Sequence, residues 1–315
     1  MKPNVLVLYP TLPPQMQALE QLYSLHRYDL ADDDGKAAML AGPGALCRAA
    51  ITNGHTVLTR RMLALLPALQ VVACSSAGYE SIDLDALNER GIKLTNSSDA
   101  LSDDVADVAL MLLLASRRGL IGAHNHVTSG DWGRNGSYPL QSSVRGKKLG
   151  IVGMGKIGQA IITRAQAVGL EIAYFSRTAK PGVDLPFQPD LQALATWADI
   201  LIVIVAGGAG TKNLIDDAVL RALGPQGTLI NVSRGSVVDE PALIAALKDG
   251  GLGAAGLDVF WNEPNPDPVL TDLHNLTLYP HHASGTRETR AAMAQTVVDN
   301  LAAHFAGLPL LSAVN

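Results

Sequence analysis

The stretch KKLGIVGMGKIGQAII (147–162) constrains the fold of this chain more than any other. An apolar run with strand character, Leu149 to Val152, meets three glycines, Gly153, Gly155 and Gly158, and passes directly into a helical pattern. Glycine in the first place allows a tight turn, in the second lets a ligand approach the backbone, and in the third lets the helix pack on the strand. A helix beginning there offers unsatisfied N–H groups and the positive end of its dipole to a phosphate. The spacing alone is a weak signal. With a strand before it and a helix behind it, it reads as a dinucleotide-binding turn, and such turns occur in parallel sheets joined by crossover helices.

The rest of the chain agrees. Strands are expected near 4–8, 48–52, 69–74 and 92–95, and again near 149–152, 171–175, 199–205, 228–232, 254–258 and 276–278. Helical patterns fall near 157–168, 190–197, 216–223 and 240–249. A length of 315 residues exceeds what one hydrophobic core usually serves, so two domains are expected. Between the two series, ALSDDVADVALMLLLASRR (100–118) predicts a long helix, with Ser102 as N-cap, aspartates at its positive end and Arg117 and Arg118 at its negative end. Its apolar middle predicts burial. A second long helix is expected over 286–305, and the loop 125–147, with Trp132 and Tyr138, is the longest irregular stretch.

Composition excludes other classes. A net charge of −5 is wrong for a surface that collects nucleic-acid phosphates. The longest apolar runs, VALMLLLA (108–115) and ILIVIVA (200–206), fall short of the ~18 residues of a spanning helix. The N-terminal MKPNVLVLYP reads as a first strand, not a signal peptide. Cys47 and Cys74 form neither a disulfide framework nor a metal-ligand pattern, so no metal is expected and a reducing cytoplasm is.

Three clusters sit at the C-terminal ends of later strands, where open α/β sheets place their ligands. Arg234 follows LINVS, Asp258 and Glu263 lie in GLDVFWNEP, and His281 and His282 lie in LYPHHASGT. The arginine fork suits a carboxylate, and an imidazole beside a glutamate suits proton transfer at neutral pH. The second strand of the dinucleotide unit ends in Ser176, Arg177 and Thr178. An NAD-binding unit usually has a carboxylate there, about 20 residues past the glycines, on the ribose hydroxyls. A guanidinium with two hydroxyls, and Lys180 nearby, suits a 2′-phosphate, so NADP(H) is the expected cofactor, with NAD(H) second.

In combination and in order, SSAGYESIDLDALNERGI (75–92), LSDDVADVALMLLLASRR (101–118), the glycine turn, NVSRGSVVDE (231–240), GLDVFWNEP (256–264) and PHHASGT (280–286) resemble the D-isomer-specific 2-hydroxyacid dehydrogenase family, especially its glyoxylate/hydroxypyruvate reductase branch. The resemblance runs over nearly the whole chain. It implies a Rossmann cofactor domain over 100–284 inserted in a flavodoxin-like substrate domain formed by 1–99 and 285–315, both doubly wound parallel sheets, in a homodimer. It casts Arg234, Glu263 and His281 as catalytic, with no role for His282, and sets Ser76, Ala77 and Gly78 with Arg234 and His281 on the substrate. The cofactor would meet Met154, Lys156 and Ile157 between and beside the glycines, then Val232, Ser233, Arg234, His281 and Ser284, with Asp258 on the nicotinamide carboxamide. One departure is VAGGAG (205–210), which lacks the proline usual after that strand. The implied reaction is hydride transfer from a reduced nicotinamide to the carbonyl carbon of a small 2-keto acid, without a metal. Two alternatives stay open: a dinucleotide-sensing corepressor-like binding protein, and a reductase for a bulkier aryl or sugar-derived keto acid whose pocket Trp132 or Tyr138 lines.

Overall fold

Every strand of this chain pairs in parallel with its neighbours, as near-continuous apolar runs such as Ile200–Val203 require when both faces of a sheet are covered. The computed structural model describes residues 1–315 and divides into two compact units, Met1–Leu101 with Ser284–Asn315, and Ser102–Ala283.

In the first unit, β1 (Asn4–Val7), β2 (Ser24–Arg27), β3 (Ala49–Thr52), β4 (Val71–Cys74) and β5 (Lys93–Thr95) form one sheet in the order β2-β1-β3-β4-β5, the flavodoxin-like order. Leu6, Leu58, Leu63, Leu87 and Leu94 fill the core on one side of it, and Val5, Val7, Leu19, Val71 and Leu301 on the other. Leu301 belongs to the helix Arg287–Phe305, whose N-cap Thr286 accepts the Thr289 N–H at 3.1 Å. Strand β2 was not expected, because SLHR has no apolar run. Its register on β1 comes from pairing, Asn4 opposite Ser24 through Val7 opposite Arg27, with the Asn4 side chain meeting His26 Nε2 at 3.1 Å.

The second unit contains β6 (Lys148–Val152), β7 (Glu171–Phe175), β8 (Ile200–Val203), β9 (Thr228–Asn231), β10 (Ala254–Leu257) and β11 (Leu276–Leu278), in the order β11-β10-β9-β8-β6-β7. Beyond β7 a single parallel bridge joins Tyr174 to Phe187. Counted as a rudimentary third strand, it completes the 3-2-1-4-5-6 order of a Rossmann sheet.

Two local expectations need correction. The long helix spans Ser98–Arg118, so Ser102 is not its N-cap but lies within it, 9% exposed. Both SSD and LSDD carry a serine before an acidic turn. The helix starts upstream, where the Ala100 N–H donates to the Ser97 carbonyl and the Ser98 N–H to Asn96 Oδ1, while the Ser97 hydroxyl donates to the Cys74 and Met293 carbonyls. The stretch 125–147 is not one loop. The helix Leu120–Thr128 runs into it and Asp131–Asn135 is also helical, with irregular chain only beyond. Gly119, Gly130 and Gly136, with φ of 56°, 80° and 81°, separate the helices by entering the left-handed region. In the sequence these glycines read as loop composition. Tyr138 closes back on this segment so tightly that a Cβ at Gly122 would lie 2.3 Å from its hydroxyl, whereas Trp132 stays 61% exposed. No helix is long and apolar enough to cross a membrane.

Candidate active site

Strand β6 delivers the chain into the glycine turn. Gly153 has φ 113°, and a Cβ there would lie 2.5 Å from the Ile204 carbonyl oxygen. A Cβ on Gly158 would lie 2.4 Å from the carbonyl oxygen of Gly153, so both glycines are required by packing. Gly155 has nothing within 4 Å of its Cβ position, which leaves its surface open to a ligand. The helix Lys156–Ala167 starts there with no side-chain cap, and the positive end of its dipole suits phosphate oxygens. Met154 is buried and Ile157 half-buried, so the turn offers mainly backbone. These features fit a dinucleotide pyrophosphate.

The Gly153 N–H donates to the Phe175 carbonyl at 2.9 Å, which fastens the turn to the end of β7. Ser176, Arg177 and Thr178 follow, and no carboxylate pairs with the exposed Arg177. Ser176 differs from expectation: its hydroxyl donates to the Thr178 carbonyl at 2.6 Å, so its one proton shapes the loop and is not directed at a ligand. VAGGAG, in place of the usual proline, turns through Gly208 at φ 131°, with Thr211 Oγ1 donating to the Ala206 carbonyl at 2.7 Å.

At the end of β9, Asn231 is 1% exposed and shapes the next three residues. Its Oδ1 accepts the N–H and hydroxyl of Ser233 at 3.0 and 2.7 Å, and its Nδ2 donates to the Arg234 carbonyl at 3.0 Å. Arg234 Nη1 donates to the Ser233 carbonyl at 2.7 Å, which orients the guanidinium. Val232 and Ser233 are buried, so backbone is what they can offer a cofactor. The motifs above do not include Asn231, although an amide two residues before a serine is an Asx-turn signal.

The ends of β10 and β11 meet at His281, whose φ of 48° is left-handed. That conformation costs a non-glycine residue roughly 1–2 kcal/mol, and Asp258 holds it in place. The Asp258 carbonyl accepts the His281 N–H at 2.7 Å, while its Oδ1 and Oδ2 accept those of His282 and Ala283 at 2.8 and 3.2 Å. Asp258 was expected to face the nicotinamide carboxamide. It is 1% exposed, with both carboxylate oxygens on backbone donors, so the role visible in the structure is to hold the histidine turn. His281 Nδ1 meets Glu263 Oε2 at 2.5 Å, and Glu263 Oε1 accepts the Phe260 N–H at 2.9 Å. With Nδ1 donating to Glu263, the ring's transferable proton is at Nε2. His282 turns away and lies against the Tyr279 ring, centroids 6.4 Å apart.

Ser76, Ala77 and Gly78 belong to the first unit, at the end of β4. Ser76 Oγ accepts the Gly54 N–H, the Ser76 carbonyl accepts that of Ser97, and the Ala77 carbonyl accepts Asn96 Nδ2, each at 3.0 Å. The acceptors of this loop are therefore occupied, whereas the N–H groups of Ser76, Ala77 and Gly78 donate to nothing within the chain. A Cβ on Gly54 would lie 2.3 Å from the Gly78 carbonyl oxygen, a constraint the sequence did not announce. Ser284 begins the returning segment of the same unit. No group of three or more His, Cys, Asp or Glu side chains is arranged to hold a metal.

Burial, above all, pushes the Asp258 carboxyl up from 3.8 to about 6, against the backbone donors of His282 and Ala283 and the charge of His281, with Glu263 adding to the rise. A raised folded-state value means that this group favours the fold most below its unfolded value, and that this contribution is lost as pH rises through about 6. Activity carries the opposite sign, because protonation turns an acceptor of the His281 turn into a donor. We expect kcat/KM to fall below a midpoint near 6 with no matching loss of thermal stability. Asp258→Asn, which can accept at only one of the two positions, should flatten that acid limb onto a lower plateau. pH–rate and melting profiles of both proteins check this, and a limb unchanged in the variant would exclude Asp258 as its source.

Residues 110–283 match the family described as D-isomer specific 2-hydroxyacid dehydrogenase, NAD binding domain. The chain is 41% identical over 313 residues to 2-ketogluconate reductase of Gluconobacter oxydans, covering 99% of each. It is 40% identical over 311 residues to hydroxyphenylpyruvate reductase of Plectranthus scutellarioides, covering 99% of this chain and 98% of that one. Among solved structures it is similar to the NADPH-dependent glyoxylate/hydroxypyruvate reductase of Sinorhizobium meliloti in complex with NADP and malonate. That similarity has a TM-score of 0.89 and 38% identity, over 100% of this chain and 97% of that one.

Proposed function

The chain belongs to the D-isomer specific 2-hydroxyacid dehydrogenase family, whose members are NAD(P)-dependent oxidoreductases, and we propose that it reduces small 2-keto acids of the glyoxylate and hydroxypyruvate type to D-2-hydroxy acids with NADPH. The reading rests chiefly on Glu263 and His281 joined at 2.5 Å in the same unit as Arg234 and the glycine turn. When bound, the reduced nicotinamide supplies a hydride to the carbonyl carbon. Arg234 holds the substrate carboxylate and polarises the keto oxygen, which gathers negative charge in the transition state. In the first unit, the N–H groups of Ser76, Ala77 and Gly78 are a set of donors suited to a carboxylate. His281 Nε2 gives the proton that converts the oxygen to a hydroxyl, and Glu263 keeps the ring oriented. Backbone from Gly153 to Gly158 and from Val232 to Arg234 would contact the cofactor.

Arg177 carries the proposed preference for NADPH, with the Thr178 hydroxyl and Lys180 supporting it, while Ser176 lends its hydroxyl to the loop. Hydrogen bonds to charged groups contribute about 1.5–3 kcal/mol. Arg177→Ala should therefore lower kcat/KM for NADPH by roughly 10- to 150-fold and change that for NADH little. A wild-type enzyme that favours NADH would sink the assignment.

A second reading, a reductase of sugar-derived keto acids, is supported by the end-to-end similarity to 2-ketogluconate reductase. NADPH oxidation with glyoxylate, hydroxypyruvate, 2-ketogluconate and hydroxyphenylpyruvate ranks the readings, and turnover of any of them separates catalysis from dinucleotide sensing. We further propose a homodimer joined through Leu120, Ile121 and Val127, each more than half exposed. Sedimentation of the wild type and of a Leu120→Asp, Ile121→Asp variant tests it, with a monomeric wild type the contrary result. Cys47 and Cys74, neither in a disulfide, suit the cytoplasmic setting proposed for the reaction.

A further inference from the structure

Glu240 is 6% exposed although it stands in the first turn of a surface helix, Glu240–Asp249. Burying a carboxylate is costly unless something inside uses it, and the helix already has its cap in Asp239, which accepts the Ala242 N–H. The Glu240 Oε2 instead accepts the Trp261 N–H at 3.0 Å. From the other side of that residue, Trp261 Nε1 donates to the Val238 carbonyl at 2.8 Å. Beside these anchors the backbone of Gly235 presses on the same loop, since a Cβ there would lie 1.9 Å from the Phe260 carbonyl oxygen. The segment immediately after Arg234 thus grips residues 260 and 261 at three points. The next link is Glu263, whose Oε1 accepts the Phe260 N–H and whose Oε2 meets His281.

We infer that Glu240 is a positioning residue for the proton-donating pair: by fixing the Trp261 N–H it holds the Phe260–Glu263 loop, and through it keeps the Glu263 carboxylate against His281. The inference rests on the catalytic reading of Glu263 and His281 given above. It also ties the loop that carries Glu263 to the strand end that carries Arg234, so that the two ends of the site keep register. Asp267 is the other charged group acting on Glu240, and it adds to the burial that raises the Glu240 carboxyl. A purely structural role, a negative charge at a helix N-terminus, is the competing explanation.

Three substitutions separate them. Glu240→Ala removes the acceptor and the charge. Glu240→Asp keeps the charge at the helix N-terminus but withdraws the acceptor by one methylene. Glu240→Gln loses the charge and keeps an oxygen that can accept the Trp261 N–H. The readouts are the far-downfield proton resonance of His281 Nδ1–H in the cofactor-free protein, kcat and KM with NADPH and hydroxypyruvate, and the melting temperature. Positioning predicts that Ala and Asp displace or broaden the resonance and lower kcat, by up to about 100-fold, with KM for NADPH unchanged, and that Gln restores both. A wild-type resonance and kcat in Glu240→Asp would overturn the inference in favour of the helix charge. So would a melting temperature that falls while the resonance stays in place. The resonance needs no turnover. If the wild type reduces none of the keto acids but the resonance still follows the Ala, Asp and Gln pattern, the functional reading fails and the positioning role stands.

Discussion

Replacing His281 by alanine will lower kcat for keto-acid reduction by about 10²- to 10⁴-fold, the usual contribution of a positioned general acid. NADPH binding should stay near that of the wild type, because the glycine turn and Arg177 lie on other strand ends. The size of the effect follows from geometry. His281 is the histidine that meets Glu263, at 2.5 Å, and is held by Asp258 in a backbone conformation few residues adopt. His282, one residue on, is tied to Asp258 through its backbone N–H, with its ring against Tyr279. His282→Ala should therefore keep most of the turnover. Steady-state kinetics of the two variants decide between neighbours that the sequence presents as alike, and the reverse ranking would move the acid to His282.

Arg234→Lys should cost about 10²- to 10³-fold in kcat, the range seen when a donor to a developing oxyanion is removed, and should raise KM for the keto acid as well. Lysine keeps the charge but has no fork, so it cannot hold a carboxylate and polarise the neighbouring carbonyl together. It also cannot reproduce the planar donor set that Arg234 orients through its contact with the Ser233 carbonyl. A fall in kcat and a rise in KM together would place Arg234 on the substrate in both ground and transition states. An unchanged KM for every keto acid in the panel would place it elsewhere.

Much of the site was legible because its parts are local. The strand, three glycines and helix of 147–162 form one continuous unit, and so do the arginine after β9 and the cation after β7. Their chemistry depends on residue type at a strand end, which a period-two apolar pattern already locates. Legibility failed where a choice depended on neighbours far away in the chain. Ser97 and Ser102 look alike in the sequence as helix starts, and the helix takes the earlier, with the Ser97 hydroxyl on carbonyls of Cys74 and Met293 that only the fold brings near. SLHR becomes a strand only because β1 lies beside it. Ser176 is a different case: its hydroxyl proton goes to the Thr178 carbonyl two residues on, a loop conformation that residue type alone does not show.

The sequence by itself determined the parallel α/β class, the dinucleotide turn, the cationic end of the second Rossmann strand, and the Arg, Glu and His that belong at the later strand ends. The class and the turn follow from periodicity and from backbone freedom at single positions, both of which act over a few residues. The cation, the Arg, the Glu and the His are read instead from side-chain chemistry at a strand end and from the resemblance along the chain. The tertiary structure alone decided which atoms do the positioning. Asp258 reaches 25 residues along the chain to hold the histidine turn, Glu240 reaches 21 to hold the loop before Glu263, and Gly54 and Gly235 are required by backbones that arrive from other strands. A buried carboxylate with one satisfied geometry looks the same in a sequence as an exposed one. The difference lies in which N–H groups the folded chain brings within 3 Å or so of its oxygens.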